Sequence, residues 1–322
     1  MKAAVFDRYG LPEVVRLEDV AKPVPGSDEV LVKIHATTVS SADKRIRSMD
    51  VPGGFGPFAR LAFGVSGPRR RILGSDLSGE IVEIGSQVTR FRVGQKVIAS
   101  CGIEMGCHAQ YRRVKEHAII IENPGGICHP QAAALVFGGM TALDFLTRAK
   151  VFPGEKVLVN GAAGCVGSAV VQLASYFGCN VTGVCSASKV DTVKALGAHH
   201  VIDYTKTNPF EGSEMFDVIF DAVGNERFTK LLPRLTVNGR LISIAADLLT
   251  TVLAPTYSLL TTKRVLVGPA NERLEHLQAL AELTSKGSFA PLIGRAFASE
   301  EIEDAHRYAG SIEKCGCVVI TF

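Results

Sequence analysis

Apolar positions fall into two textures along the chain. Before about Pro124 they come in short β-branched runs: Val30-Leu31-Val32-Lys33-Ile34, Ser78-Gly79-Glu80-Ile81-Val82-Glu83-Ile84-Gly85 and Lys96-Val97-Ile98-Ala99. Gly and Pro interrupt these runs at short intervals, as Pro25-Gly26-Ser27-Asp28 does, which predicts strands joined by turns. Residues 50–73 hold five glycines and three prolines and predict a long irregular segment, a kind usually functional or disordered. After Pro124 the texture changes. Helix formers from Pro130 to Lys150 lead to Val157-Leu158-Val159, a Gly-rich turn and a helical pattern to about Phe177. Val181-Thr182-Gly183-Val184, a helix from about Lys189 to Leu196, Val201-Ile202 and Phe216-Asp217-Val218-Ile219-Phe220 follow, and Arg240-Leu241-Ile242-Ser243-Ile244 closes the series. Apolar strands alternating with helices predict a parallel sheet covered on both faces. Beyond residue 264, Leu274, Leu277, Leu280 and Leu283 mark one more helix, and Val318-Val319-Ile320 a final strand.

Composition narrows the class. A single core rarely grows past about 250–300 residues, so 322 residues predict two domains. The net charge of +3 is too small for a strong nucleic-acid field, and the basic residues are scattered. No apolar run approaches the roughly 20 residues that span a bilayer, and Asp7 comes too early for a signal peptide. The expectation is a soluble cytoplasmic protein, without nucleic-acid partners and without membrane contact. Eight dispersed cysteines read as reduced thiols.

The chemistry concentrates after the strand at 157–159. Gly161-Ala162-Ala163-Gly164-Cys165-Val166-Gly167 follows a buried strand and opens a helix. Gly164 lets backbone approach a pyrophosphate, Gly167 lets the helix pack closely, and the helix start offers N–H groups to phosphate. Gly164 and Gly167 fit the second and third places of the dinucleotide fingerprint, with Ala162 in the first. The second strand ends Val184-Cys185-Ser186-Ala187-Ser188-Lys189. It lacks the acid that accepts from ribose hydroxyls in NAD sites, whereas Ser186 and Lys189 suit a 2′-phosphate. NADPH is the expected cofactor. Ser188 as a helix cap and a solvated Lys189 are the alternative.

Several stretches together resemble the medium-chain dehydrogenase/reductase superfamily, in its zinc-free quinone oxidoreductase branch, to which zeta-crystallin belongs. They are Met1-Lys2-Ala3-Ala4, Gly74-Ser75-Asp76-Leu77-Ser78-Gly79-Glu80-Ile81-Val82, Gly138-Gly139-Met140-Thr141-Ala142, the 161–167 turn and Val201-Ile202-Asp203-Tyr204. The resemblance implies an α/β chain with a GroES-like, β-rich catalytic domain (residues 1–124 and 265–322) and an inserted Rossmann domain with a doubly wound parallel sheet (125–264). It implies a substrate cleft at their junction, and a homodimer is expected. It also implies Thr141, Ala245 and Cys317 beside the nicotinamide, Tyr204 near the adenine, and Val223 among the cofactor contacts. Cys317 stands where Asn is common.

Zinc relatives place Cys where this chain has Ser40 and His where it has Ser75, and only Cys101 and Cys107 remain of the structural zinc lobe. Serine is a poor zinc ligand, so no metal is expected. Without a Lewis acid, the substrate should already be electrophilic: a quinone or an α,β-unsaturated carbonyl. Ser40, Ser41 and Asp43 occupy the family's Asn-Pro-x-Asp turn and are the catalytic candidates with Thr141. Asp43 serves equally well as a turn-stabilising acid. A cofactor-binding protein with little turnover and an enoyl-thioester reductase are the alternatives, although no Tyr lies between Lys44 and Gly74 to serve the latter. Phe55, Phe58, Leu61, Phe63 and Arg69-Arg70-Arg71 read as an apolar lid, a partner- or membrane-facing patch, or Phe side chains in the core beside solvated arginines.

Overall fold

The computed structural model describes residues 1–322 as two units. One comprises Met1–Val51, Gly56–Met140 and Glu272–Phe322, the other Pro52–Phe55 and Thr141–Asn271. In the first, a seven-stranded sheet runs in the order Ile293–Ala298, Cys317–Thr321, Glu29–Val39, Asp76–Ile84, Lys96–Ser100, Ile119–Glu122, with Tyr111–Lys115 also on Glu29–Val39. Every pairing but that of Ile293–Ala298 with Cys317–Thr321 is antiparallel. The central strand is buried on both faces for most of its length, which is why Val30-Leu31-Val32 reads as an unbroken apolar run before the exposed Lys33. Val30, Val32, Ile34, Leu77, Ile81, Val97 and Ile120 form its core cluster, each contributing roughly 1.5–3 kcal/mol by burial.

The second unit holds six parallel strands in the order His200–Asp203, Asn180–Cys185, Lys156–Asn160, Phe216–Asp221, Leu235–Ser243, Arg264–Val267. Numbered by place in the chain, that order is 3-2-1-4-5-6, the Rossmann doubly wound arrangement. Ligands of such sheets bind at the carboxyl ends of the strands where the order reverses, here beyond Asn160 and Asp221.

Three elements differ from the sequence expectation. Leu235–Ser243 does not close the series: Leu248–Leu260 forms a helix and Arg264–Val267 a sixth strand. That strand is short, lies at the sheet edge and begins with Arg264, so it lacks the apolar run of a central strand. The helix is apolar nearly all round, with Leu249, Val252, Leu259 and Leu260 exposed, so it shows no amphipathic period. Residues 50–73 contain the helix Gly56–Phe63, whose Pro57 sits in the first turn, where a missing N–H is tolerated. Phe58 and Leu61 are exposed, so a fully buried set of Phe side chains does not hold here. Phe63 packs on the core cluster of Phe6, Leu73 and Ile302.

One continuous helix, His129–Ala149, is long and apolar enough by composition to cross a bilayer, and 78% of its window is buried within the protein. It contains a π-helical turn at Leu135–Gly139. Cys101, Cys107, Cys128, Cys179, Cys185 and Cys315 are reduced thiols. The expectation of eight reduced thiols therefore extends to these six and is corrected for Cys165 and Cys317.

Candidate functional site

The glycine turn sits at the sheet's reversal point. Gly161 has φ +80°, and a Cβ there would stand 2.7 Å from Val223 Cγ2. The left-handed position is thus Gly161, and Ala162, placed first in the fingerprint by the sequence reading, is fully buried. A Cβ on Gly167 would overlap the Gly161 carbonyl oxygen, whereas a Cβ on Gly164 would meet only that oxygen, at 3.3 Å. Gly167 therefore serves packing, and Gly164 leaves room above the turn. Gly164 is the N-cap of the helix Cys165–Tyr176 and supplies no side-chain cap. The first-turn N–H groups and the positive end of the helix dipole thus meet no carboxylate or hydroxyl of the cap residue. A pyrophosphate fits that arrangement of donors and room.

The strand tips around this turn are tied together. Asn160 Nδ2 donates to Asp221 Oδ1 at 2.8 Å and to Asn225 Oδ1 at 3.0 Å. Asp221 Oδ1 also accepts from the amides of Val223 (3.1 Å) and Gly224 (3.0 Å), and Ser243 Oγ donates to Oδ2. A Cβ on Gly224 would stand 2.7 Å from Ala245 Cβ. Gly161, Val223 and Ala245 are thereby brought into one neighbourhood. Asn160 and Asp221, which organise it, were missed by the sequence reading; their placement at the ends of adjacent parallel strands was the available signal. Ser186 and Lys189 flank the tip of the second strand, where Ser186 Oγ lies 3.4 Å from Ser188 Oγ. Ser188 caps nothing: Ala187–Lys189 is a 3-10 turn, and the helix Val190–Ala195 starts after Lys189 without a side-chain cap. Tyr204, 47% exposed, follows the third strand, its amide donating to the Cys185 carbonyl. Asp203 pairs in register with Cys185. Its carboxyl is held below the usual range by the Thr205 hydroxyl and amide and by the Ala187 amide.

Ser40, Ser41 and Asp43 lie in the other unit, at the start of the helix Ser41–Ser48. Here the helix start is closed. Asp43 N donates to Ser40 Oγ at 3.2 Å, while Ser40 N and Ser40 Oγ donate to Asp43 Oδ2 at 2.8 and 2.6 Å. The remaining oxygen, Oδ1, accepts from Gly74 N at 2.8 Å. This is a complete capping box with both members buried. Asp43 is the turn-stabilising acid, and the Ser40 hydroxyl is directed at it. Ser41 is half-buried beside them. Thr141 is half-buried one residue past Met140, just beyond the π turn. Cys317, in the same unit as Ser40, is buried, with Sγ 3.7 Å from the Ala134 carbonyl oxygen.

Two family models match: the alcohol dehydrogenase GroES-like domain over residues 26–153 and the zinc-binding dehydrogenase over 196–320. The chain is 30% identical over 333 residues to the 2-methylene-furan-3-one reductase of Solanum lycopersicum, an alignment covering 99% of this chain and 79% of that protein. The chain belongs to the medium-chain dehydrogenase/reductase superfamily. The solved quinone oxidoreductase of Coxiella burnetii superposes with a TM-score of 0.89 at 28% identity, covering 100% of this chain and 99% of that one. The NADPH-dependent alkenal/one oxidoreductase of Arabidopsis thaliana is 33% identical over 234 residues, 70% of this chain and 58% of that protein. The quinone oxidoreductase branch is therefore where this medium-chain dehydrogenase/reductase belongs, in an oxidoreductase family whose members use a nicotinamide cofactor.

In this superfamily member the two positions of zinc-ligand interest are occupied otherwise. Ser40 Oγ donates to Asp43, and Ser75 Oγ donates to Asp76 Oδ1 at 2.8 Å. No three His, Cys, Asp or Glu side chains gather in metal-ligating geometry. Asp76, missed as a functional candidate, is fully buried, and burial pushes its carboxyl up to about 7, against the Thr38 and Ser75 hydroxyls that favour the charged form. The carboxylates of Asp43 and Glu272 push it further in the same upward direction.

Proposed function

We propose that the protein is an NADPH-dependent reductase of quinones or α,β-unsaturated carbonyls that transfers hydride without zinc. The observation that carries this is the helix start at Gly164, uncapped and roomy, at the reversal point of a Rossmann sheet. In this reading the Cys165–Tyr176 helix start holds the pyrophosphate, Ser186 and Lys189 hold the 2′-phosphate, and Tyr204 flanks the adenine. Val223 and Ala245 line the cofactor's path, and Thr141 and Cys317 flank the nicotinamide. The bound cofactor supplies the hydride. The chain orients the acceptor, excludes water and offers hydroxyls to the oxygen where charge develops. Ser40 is buried and directed at Asp43, so in this reading the half-buried Ser41 and Ser75 offer those hydroxyls. The names of the Arabidopsis and Coxiella relatives support the choice of acceptors.

The test is NADPH oxidation with a benzoquinone, a naphthoquinone and a 2-alkenal, beside NADP⁺ reduction with simple alcohols. Turnover on the conjugated acceptors alone supports the reading. Comparable turnover on alcohols, or about one tightly held zinc per chain by elemental analysis, overturns it. The closed Ser40–Asp43 turn favours a second reading, a cofactor-binding protein with little turnover, which silence on every acceptor would select. The same proposal includes a homodimer. Leu249, Val252, Leu259 and Leu260 are exposed on one helix, and the neighbouring Arg264–Val267 strand ends the sheet, a surface suited to a second copy. Sedimentation showing a monomer at micromolar concentration removes that part.

A further inference from the structure

Asp76 begins the strand Asp76–Ile84, paired across from Ser100, and is 1% exposed. Its carboxyl has two hydrogen-bonding partners, both hydroxyls: Thr38 Oγ1 at 2.6 Å on Oδ2 and Ser75 Oγ at 2.8 Å on Oδ1. No cation pairs with it, while the acids Asp43 and Glu272 act on it electrostatically. Ser100, its cross-strand neighbour, donates to Glu272. A buried carboxylate without a counter-ion and among other acids is costly, so the group retains its proton into the neutral range, to about 7. A protonated carboxyl must donate to one of its two partners. Thr38 is sealed at 3% exposure; Ser75 is half-exposed and offers the way out. Ser75 is also fixed beside the Ser40-Ser41 turn, because Gly74 N donates to Asp43 and Cys101 N donates to the Ser75 carbonyl at 2.6 Å.

We propose that Ser75 and Asp76 form the proton-delivery path of the reductase, Ser75 touching the acceptor and Asp76 recharging it. This rests on the reading of the protein as a reductase of conjugated acceptors. Hydride adds to a carbon of the acceptor, whose π electrons end on its oxygen. The Ser75 Oγ–H bond breaks as that oxygen gains the proton, and the Asp76 O–H bond breaks as Ser75 Oγ regains one. The acceptor is reduced and the dihydronicotinamide oxidised. Asp76 is left as a carboxylate and takes its next proton from water through the same hydroxyl. Ser75 is the catalytic residue here, and Asp76, acting through it, is a positioning and proton-holding residue.

The experiment compares the native protein, Asp76→Asn and Ser75→Ala, with NADPH and a 2-alkenal, across neutral pH. The native kcat should fall as pH rises through about 7, because only protonated Asp76 can donate. Asp76→Asn keeps the shape but holds no transferable proton: kcat should drop on the order of 100-fold and lose its alkaline limb, with KM little changed. Ser75→Ala should show the same loss. Infrared difference spectra of the cofactor-free protein supply a readout independent of turnover. A protonated carboxyl band should disappear as pH is raised, and be missing from Asp76→Asn. Either variant turning over at the native rate with the native pH limb, or a native spectrum without that band, overturns the path while leaving the reductase reading intact. A native protein that reduces no conjugated acceptor overturns the reductase reading itself, and the path with it.

Discussion

Two helices carry candidate site residues at their starts, and they begin in opposite ways. The Ser41–Ser48 helix is closed by its own residues: Ser40 and Asp43 satisfy each other, and Asp43 reaches on to Gly74. The Cys165–Tyr176 helix starts at a glycine that caps nothing, with room above it. A helix start has orphan N–H groups whichever way it is built. Where side chains satisfy them, the turn is architecture. Where glycines leave them, an anion can take the same place. The first turn spends its hydrogen-bonding capacity on the fold, and the second leaves room for the ligand proposed above.

The sharpest way to break the comparison is within the open turn itself. Gly167→Ala should cost about 3 kcal/mol or more, because the added Cβ overlaps the Gly161 carbonyl; thermal unfolding should show a large loss with or without cofactor. Close to the closed turn, Asp76 gives an effect of similar size and opposite sign. Its folded-state value is about 7, against about 4 in an unfolded chain. Between these values unfolding releases a proton, so this group's contribution falls as pH rises from about 4 to about 7 and stays low above. Asp76→Asn should therefore stabilise the protein at pH ~8, by up to about 4 kcal/mol, and hardly at all at pH ~4. Denaturant titration at the two pH values checks the sign.

Asp43→Ala should destabilise by roughly 2–4 kcal/mol, since it orphans Gly74 N and Ser40 N in a buried site. Turnover per folded molecule should fall far less than it does in Ser75→Ala. A variant that stays stable while losing all activity would return Asp43 to the catalytic role. The smallest expected effect belongs to Lys189→Ala, which should weaken NADPH by roughly 1–3 kcal/mol and leave NADH nearly unchanged. Equal losses for both cofactors, read by fluorescence titration, would contradict a 2′-phosphate contact.

The open turn was legible in the sequence because its parts are local: a buried strand, glycines at 161, 164 and 167, and a helix pattern. The detail that failed was local too, since Ala162 was placed where Gly161 carries the positive φ. The closed turn was legible as a pattern, Ser-x-x-Asp being a capping signature, but resemblance drew Ser40 and Asp43 toward catalysis. What decides between the roles is where the second carboxylate oxygen goes, and Gly74 is 31 residues away. Asp76 was quoted within a motif and not singled out, because burial and the absence of a counter-ion are properties of the folded sheet. The edge strand Arg264–Val267 escaped for a related reason: an edge needs fewer apolar residues than the middle of a sheet.

The most direct measurement is calorimetric titration of NADPH into the native protein and into Gly164→Ala, with thermal unfolding of both. A Cβ at 164 meets only the Gly161 carbonyl oxygen, at 3.3 Å, so the fold should give by a few tenths of an ångström and unfold within a few degrees of native. The same Cβ occupies the space through which a pyrophosphate reaches the helix start, so NADPH affinity should fall by at least about 100-fold. A folded Gly164→Ala that binds NADPH as tightly as the native protein would contradict the assignment of this helix start to the cofactor.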